Sequence, residues 1–222
     1  MNEALTPSRR RLKEARPQQL LDAALTLFAE KGFAATRAEE VAQRAGVSKG
    51  TLYLYYPSKE ELLKAVIREH LSSRIAAGAA AAEKHRGPVA ELLREVFARW
   101  WLEVFDSPTS GVFKLIITEV RNFPDIAEFY ITEVIQPAES LIARIVQRGI
   151  DNGEFDALDI PNVVHSLCLP MVMLCVHKHS LGACPGLQEE GFDPHAFVRA
   201  HVDLVVRGLL RAKAAPRRAA AA

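Results

Sequence analysis

The fold of this chain is decided by residues Arg37–Leu63, which read RAEEVAQRAGVSKGTLYLYYPSKEELL. Small apolar residues at helical spacing predict a short first helix, and Gly46 supplies the residue that can take a positive φ where that helix must end. Ser48 is a favoured N-cap residue, so it predicts the start of a second helix, which Pro57 must end. Two short helices joined by a tight turn, with a third following at once, are typical of a helix-turn-helix, whose second helix enters the DNA major groove.

Capping residues define where the first and third helices of this motif begin. Thr36, followed three places later by Glu39, predicts a capping box at the start of the first helix. Ser58 and Glu61 have the same spacing and predict one at the start of the third. The register of all three helices is therefore predicted, and the outward face of the second helix can be deduced from it.

In the second helix, Leu52 and Tyr56 are four residues apart, so they share one face and can pack inward. The outer face then carries a cation, a glycine that permits close approach, a hydroxyl and two phenols: Lys49, Gly50, Thr51, Tyr53 and Tyr55. Those groups suit phosphate contacts and base-edge recognition. Lys59, at the start of the third helix, can reach a phosphate together with backbone N–H groups. The alternative is that the three tyrosines are packing aromatics.

The longer stretch GFAATRAEEVAQRAGVSKGTLYLYYPSKEELL resembles the N-terminal domain of the TetR (tetracycline-repressor) family of bacterial regulators, in register across roughly Arg16 to Ala65. The resemblance implies an all-α fold, with a three-helix helix-turn-helix DNA-binding domain and a C-terminal helical ligand-binding and dimerisation domain. It also implies that nine residues lie at or near the DNA: Thr36, Arg37, Ser48, Lys49, Gly50, Thr51, Tyr53, Tyr55 and Lys59. Leu54 and Tyr55 depart from the family, which often has a polar residue followed by His. Leu54 could at most touch a thymine methyl group.

The chain has 222 residues, of which 49% are hydrophobic, so it can build a substantial core in one large or two small domains. Its net charge of +1 does not indicate nucleic acid, but basic residues crowd the N-terminus: Arg9, Arg10, Arg11, Lys13 and Arg16. Such an arm can add phosphate contacts or reach the minor groove; the alternative is a solvated tail. We divide the chain into a basic flexible arm at 1–15, the helix-turn-helix domain at 16–62, an effector-binding and dimerisation domain at 63–213 and a disordered tail at 214–222.

Hydrophobic periodicity predicts helices throughout and no strand-like alternation. The remaining predicted helices run from about Pro17 to Lys31, from Ser58 to about Ala82, through an apolar stripe from Leu92 to Phe105, and over Phe113–Glu119, Asp125–Arg148, Asn162–Leu181 and Pro194–Lys213. Pro137 is expected to kink the helix that contains it.

Large aromatic residues are concentrated between Ala90 and Tyr130. There the stretch FKLIITEVRNFPDIAEFYITEVI resembles the effector domain of TetR members grouped with AcrR-like and AefR-like regulators. The resemblance implies a small-molecule pocket among the helices, with these candidate lining residues: Trp100, Trp101, Phe105, Phe113, Ile117, Arg121, Phe129, Tyr130, Met173 and His177. The alternatives are that the aromatics fill a core, that Arg121 and Glu119 form a surface pair, and that Met173 and His177 lie at a dimer seam.

One short recognition helix reads only a few base pairs, so useful affinity requires a homodimer that spans two half-sites. The predicted seam is formed by the last two helices, about 162–181 and 194–213, which the family uses in a four-helix bundle with their copies. Its apolar candidates are Val163, Val164, Leu167, Val172, Leu174, Phe197, Val198, Val202, Val205 and Leu209. The expected partners are thus operator DNA, a small-molecule effector and a second copy of the chain.

Other classes of protein find little support in the sequence. No catalytic motif is present and no two histidines have metal-ligand spacing, so we expect no enzyme activity, no cofactor and no metal. The apolar stretch Val163–Val176 contains His165, Ser166 and Pro170 and is expected to be too short and too polar to span a bilayer. The three cysteines, an odd number, fit reduced thiols in a cytoplasm better than a secreted disulfide scaffold, so we expect a cytoplasmic protein. The alternatives are an all-helical interaction protein or a redox-responsive regulator that uses Cys168, Cys175 and Cys184.

Overall fold

The structure, a computed structural model, describes residues 9–184, 186 and 191–211, with side chains from residue 16 onward. That part of the chain is helical, and its only strand-like feature is an isolated antiparallel bridge between Phe155 and Leu210. The α-helices are α1 Arg9–Lys31, α2 Ala38–Arg44, α3 Lys49–Tyr55, α4 Lys59–Ile67, α5 Ser73–Lys84, α6 Val89–Glu91, α7 Ala98–Asp106, α8 Ser110–Glu119, α9 Pro124–Tyr130, α10 Gln136–Asp151, α11 Ile160–Lys178 and α12 Pro194–Leu209. The predicted all-α fold is therefore confirmed.

Three pairs of helices are continuous through π-helical turns. The turns Arg68–Ser72, Leu92–Phe97 and Ile131–Ile135 join α4 to α5, α6 to α7 and α9 to α10. The last of them explains how the helix accommodates Pro137, which has no N–H to donate to the Glu133 carbonyl in α-helical fashion. The Ser72 hydroxyl donates to that carbonyl instead, at 3.1 Å. The disturbance predicted at Pro137 thus takes the form of a π turn held by the neighbouring helix.

Several predicted helix boundaries differ from the structure, and the start of α1 and the end of α12 differ most. α1 begins at Arg9 and contains Pro17, whereas the sequence placed its start near Pro17. α12 ends at Leu209, because the chain then pairs with the segment after α10: the Arg211 N–H donates to the Glu154 carbonyl at 2.9 Å. Residues 1–8 of the predicted arm and the whole predicted tail lie outside the described residues.

We call residues 16–67 the head and residues 73–209 the body. In the head, α1 packs against α2 and α4, and its far side rests on α8 of the body. Gly111 permits that contact, since a Cβ atom there would lie 2.7 Å from Ala29 Cβ. The rings of Phe33 and Phe123 also meet across the joint, edge to face, with centroids 4.9 Å apart. Apolar packing therefore holds the head to the body.

Candidate functional site

The turn between α2 and α3 has the geometry that the sequence predicts. Gly46 has a φ of +66°, where an L side chain would be strained. Ser48 is the N-cap of α3: its hydroxyl accepts the Thr51 N–H at 3.1 Å and lies 2.9 Å from the Thr51 hydroxyl. The orientation of α3 is therefore set by residues at its own start.

The start of α2 differs from the prediction by one residue. Its N-cap is Arg37, whose N–H donates to Glu40 Oε2 at 3.1 Å, so Glu40 takes the place predicted for Glu39. Thr36 is buried, and its hydroxyl donates to the Gly32 carbonyl at 2.7 Å, closing the end of α1. Thr36 is therefore not the N-cap that the sequence predicted, and its place near the DNA stays a prediction, whereas the Arg37 side chain is exposed.

Glu39 does not cap α2, and its side chain instead pairs with Lys49, the cation at the start of α3. Its carboxylate forms an ion pair with the Lys49 ammonium, which also lies 5.8 Å from the centroid of the Tyr53 ring. The hydrogen bond with Glu39 raises the pKa of Lys49, and the same bond lowers the pKa of Glu39. Both side chains are exposed, so a phosphate approaching Lys49 would compete with Glu39 for its ammonium group.

The outward face of α3 is apolar at its tip. Leu54 is 80% exposed and Tyr53 is 40% exposed, whereas Leu52 is fully buried, as predicted. Tyr55, predicted on the outer face, is half-buried and packs against the head core. Leu54 was not among the nine residues predicted to lie at the DNA. Its outward position was predictable, because it lies two residues from Leu52, which is a rotation of about 200° around a helix.

Lys59 has a structural role that the sequence did not indicate. Its ammonium group donates to the carbonyls of Phe33, Ala34 and Thr36 at 2.8, 3.3 and 3.1 Å. The same group lies 4.4 Å from the centroid of the Phe33 ring. Three carbonyls use the three protons of the ammonium group, which thereby links α4 to the loop after α1. The phosphate contact predicted for Lys59 stays a prediction.

A cavity of about 70 Å³ lies in the body between α5, the α6–α7 helix, α10 and α11. Its walls are Ile75, Gly78, Ala82, Leu92, Val96, Phe97, Trp100, Trp101, Ala138, Leu141, Ile142, Ile145 and Cys168. The indole N–H of Trp100 donates to the Arg74 carbonyl at 3.0 Å. Trp101 stands perpendicular to it, with centroids 5.0 Å apart, and its own indole N–H is buried without a described partner.

Two of the ten predicted lining residues, Trp100 and Trp101, belong to this cavity. Phe113 stands behind Trp101, with its ring 5.7 Å away, and Phe105 lies beneath the Lys178 ammonium. The other predicted residues are elsewhere in the body: Ile117, Arg121 and Met173 are exposed, Phe129 lies under Arg68 at the joint, and Tyr130 and His177 are half-buried away from the cavity. These residues do not line this cavity, and their contact with a ligand stays a prediction.

The cavity walls contributed by α10 and α11 were not predicted from the sequence. Ala138, Leu141, Ile142 and Ile145 recur at helical spacing, a signal that marks the buried face of α10 but not what that face surrounds. Cys168 completes the wall from α11, and burial raises the pKa of its thiol to about 12. None of the described residues that line the cavity is charged.

The last two helices leave apolar side chains exposed, although not those predicted for the seam. Leu169, Met173 and Leu204 are 60%, 61% and 69% exposed. Seven predicted seam residues instead lie in the core of the chain itself: Val163, Val164, Leu167, Leu174, Val198, Val202 and Leu209. The other three are half-buried: Val172, Phe197 and Val205.

The apolar segment that carries Leu169 and Met173 extends further than the stretch Val163–Val176 that the sequence indicated. By length and composition, Ile160–Ala183 is the one described segment that could cross a membrane, which corrects the expectation that this region is too short and too polar. Length and composition are weak indications, because a core helix passes the same test. Only 33% of the apolar window is buried within the chain, so this helix retains an apolar face that its own chain does not cover.

The chain is similar to known regulatory proteins. Residues 20–66 match the family described as bacterial regulatory proteins, tetR family. The HTH-type transcriptional repressor KstR2 of Rhodococcus jostii is 30% identical over 149 residues, which cover 64% of this chain and 69% of KstR2. YfiR of Bacillus subtilis, described as an uncharacterized HTH-type transcriptional regulator, is 29% identical over 145 residues, covering 64% of this chain and 69% of YfiR. The solved structure of the regulator FadR from Bacillus subtilis, in complex with stearoyl-CoA, has a TM-score of 0.71 and 22% identity over 86% of this chain and 98% of FadR, and shares its fold.

Proposed function

Because the chain belongs to the tetR family of bacterial regulatory proteins, we propose that it is a homodimeric repressor that binds operator DNA and is released by a small, largely apolar ligand. The observation that carries the proposal is the outward face of α3, where Tyr53 and Leu54 are exposed and Lys49 stands beside them at the surface. On the second helix of a helix-turn-helix, this face is the one that enters the major groove.

Within that face the side chains divide the work of recognition. Lys49, together with the hydroxyls of Ser48 and Thr51 near the helix start, contacts phosphates, which positions the helix without selecting a sequence. Tyr53 and Leu54 reach base edges, and Leu54 can select only through apolar contact with a thymine methyl group. Gly50 lets the backbone come close, since open space surrounds the position where its Cβ would be.

Dimerisation covers the exposed apolar side chains of the last two helices. Leu169 and Met173 are one turn apart on α11, and Leu204 stands on the neighbouring α12. A second copy placed by a two-fold axis would bring the same side chains against them, as an isologous interface requires. A second copy that covers α11 also explains why this helix is apolar enough to cross a membrane although most of its apolar window is not buried in the single chain.

For a ligand to release the operator DNA, its binding in the cavity must change the position of the head. The Trp101 ring in the cavity wall lies 5.7 Å from the Phe113 ring of α8, tilted by 34°, and α8 meets α1 where Gly111 approaches Ala29. A ligand that moved Trp101 would therefore shift α8 and, with it, the head and the spacing of the two recognition helices. The continuous α4–α5 helix offers a second path. The ligand must bind one spacing better than the other, and a typical coupling of about 1–3 kcal/mol would lower operator affinity roughly 5- to 150-fold.

A redox-responsive regulator is less well supported than a ligand-responsive one. Burial raises the pKa of both Cys168 and Cys175 to about 12. The thiolate is the reactive form of cysteine, and these two thiols would hold very little of it near neutral pH. Their surroundings fit an apolar wall better than an oxidant sensor.

A gel-shift experiment with the DNA upstream of the chain's own gene tests the proposal. We expect a salt-sensitive complex that a member of a panel of hydrophobic drugs, aromatic acids and acyl compounds dissociates. The same member should change the tryptophan fluorescence, because both tryptophans line the cavity. Failure to bind that DNA or any selected sequence would favour an all-helical interaction protein. Fluorescence changes without DNA release would leave the cavity as a binding site but remove the switch.

A further inference from the structure

A surface cleft of about 280 Å³ adjoins the apolar cavity, between α5 and the α6–α7 helix. Three residues, Gly78, Val96 and Trp100, line both the cleft and the cavity, so they form the partition between the two spaces. A ligand that crossed this partition would have one end enclosed by apolar side chains and the other end at the protein surface.

Trp100 is the largest side chain of the partition. Its indole ring lies against Gly78, where an added Cβ atom would be 3.5 Å from Trp100 Nε1. The indole N–H donates to the Arg74 carbonyl at 3.0 Å. Trp100 is half-buried, whereas Trp101 is only 5% exposed. Turning the Trp100 ring aside would break this hydrogen bond and join the cavity to the cleft.

The cleft differs from the cavity in charge. No charged residue is among the described residues that line the cavity, whereas Arg74, Arg99 and Glu103 line the cleft. Two arginines against one glutamate leave a net positive charge, and none of the three forms an ion pair within the described part of the chain. By contrast, Arg94 on the same continuous helix pairs with Asp203 at 2.8 Å. A guanidinium group without a carboxylate partner is well suited to bind an external carboxylate or phosphate.

We infer that the effector is an anionic amphiphile, whose charged head is bound by Arg74 and Arg99 in the cleft while its hydrocarbon tail passes Trp100 into the cavity. This inference rests on the proposed ligand release and names the chemistry of the ligand. The apolar wall favours the tail, because burial removes hydrocarbon surface from water. The same wall excludes the head, because an unpaired buried charge is costly. The head therefore stays in the cleft, within reach of both arginines and water.

Titrations of the full chain, followed by tryptophan fluorescence, test the inference. The charged probes are decanoate and decyl phosphate, the uncharged probe is methyl decanoate, and acetate presents an anion without a tail. We expect a charged decyl probe to bind roughly 5- to 30-fold more tightly than the ester, since exposure and salt weaken a strong charged hydrogen bond. The preference should decrease as the salt concentration rises, and acetate should not bind measurably.

Substitutions separate the head site from the tail site. Arg74→Gln combined with Arg99→Gln should abolish the preference for the anion and leave the affinity for methyl decanoate unchanged. Arg144→Gln is the matched control, because Arg144 is an exposed arginine that lines a smaller depression beside the same cavity. Ile142→Phe, which adds volume to the cavity wall but not to the cleft, should weaken the charged probes and the ester by similar factors.

The outcomes separate this inference from the proposed function, because operator release is measured independently by gel shift. Equal affinity for ester and anions, no binding of any decyl probe, or an anion preference that survives the double arginine variant would each overturn the inference. A preference lost in Arg144→Gln instead would overturn the assignment of the head to this cleft. Operator release by an uncharged ligand, unaffected by the arginine substitutions, would leave the proposed function standing and reject the anionic ligand. Anion binding through Arg74 and Arg99 without operator release would support the inference and reject the switch.

Discussion

The head and the body of this chain differ in how far apart in sequence their functional residues lie. The outward face of α3 is built within a single seven-residue helix, and its orientation depends on the adjacent Gly46 and Ser48. The cavity wall brings together residues as distant as Ile75 and Cys168, from four separate helices. A surface made by one helix follows from its periodicity, whereas a cavity depends on how helices pack. Substitutions can show whether the two regions also behave differently.

The largest loss of operator affinity should come from substitutions in the proposed dimer seam, because dimerisation lets two heads bind one operator together. Leu169→Asp combined with Met173→Asp would bury charges against the partner copy, so we expect a monomer by light scattering. Operator affinity in gel shifts should fall by at least about 100-fold, because the second half-site no longer benefits from a high effective concentration. Ile117→Asp is the control, since Ile117 is 53% exposed on α8 and is not part of the proposed seam. A double variant that keeps a dimeric mass would refute this seam.

Lys59→Met tests whether the stability of the head depends on the hydrogen bonds between Lys59 and the loop after α1, which the sequence motif does not predict. The variant leaves three carbonyls without the ammonium that serves them, so the free energy of unfolding in urea should fall by about 1.5–3 kcal/mol. The exposed Lys49→Met should change it far less. The salt dependence of DNA binding should stay unchanged for Lys59→Met. If the slope of log affinity against log salt concentration were lower by about 0.9 in Lys59→Met, Lys59 would contact a phosphate, as the sequence predicted.

Lys49→Ala should give the opposite pattern, with stability retained and DNA binding weakened. Losing one phosphate contact lowers the slope of log affinity against log salt concentration by about 0.9 per half-site. Glu39→Gln should strengthen binding, since it frees the Lys49 ammonium and removes a negative charge beside the DNA. Salt titrations of the gel shift measure both effects. An unchanged slope for Lys49→Ala would remove it from the interface.

Leu54→Ala should have a smaller, sequence-dependent effect. Losing apolar contact with a thymine methyl group should cost about fourfold in affinity, because burying one methylene-sized group contributes about 0.8 kcal/mol. Replacing the contacted operator thymine by deoxyuridine, which lacks the methyl group, should lower the affinity of the wild type by the same amount. The same replacement should not lower the affinity of Leu54→Ala any further. If every deoxyuridine were tolerated equally by both proteins, Leu54 would not read a methyl group.

The smallest effect concerns the joint between head and body. His70 is largely buried beside Asp22 of α1; burial lowers its pKa, and the smaller influence of Asp22 opposes that shift. The folded state therefore favours neutral His70, and this contribution to stability is present above the unfolded-state pKa of about 6.5 and is lost as the pH falls below it. We expect the Tm to fall between pH 7.5 and pH 5.5, and less steeply in His70→Asn. An equally steep fall in that variant would assign the effect to other groups, such as His179, whose pKa burial also lowers.

Much of the fold, and part of the candidate site, could be predicted from the sequence, for a physical reason. Gly46, Ser48 and Ser58 act on backbone groups within three residues of themselves, so their roles can be read directly from neighbouring positions. Helical periodicity likewise identified the long helices. The family resemblance predicts that α3 lies at the DNA, which stays a prediction. The tryptophans were identified through the resemblance to the effector domain, which predicts a pocket among these helices.

Only the tertiary structure decided what the longer side chains contact. Lys59 lies 26 residues from Phe33, whose carbonyl it binds, and Thr36 lies nine residues from Leu27. The exposed Leu169 and the buried Leu167 are separated by only one residue, and nothing local distinguishes an apolar side chain that packs inside its own chain from one left for a partner. Propensity and capping act over one or two helical turns, whereas burial depends on which helices come together, and this was fixed by the packing of α8, α10, α11 and α12.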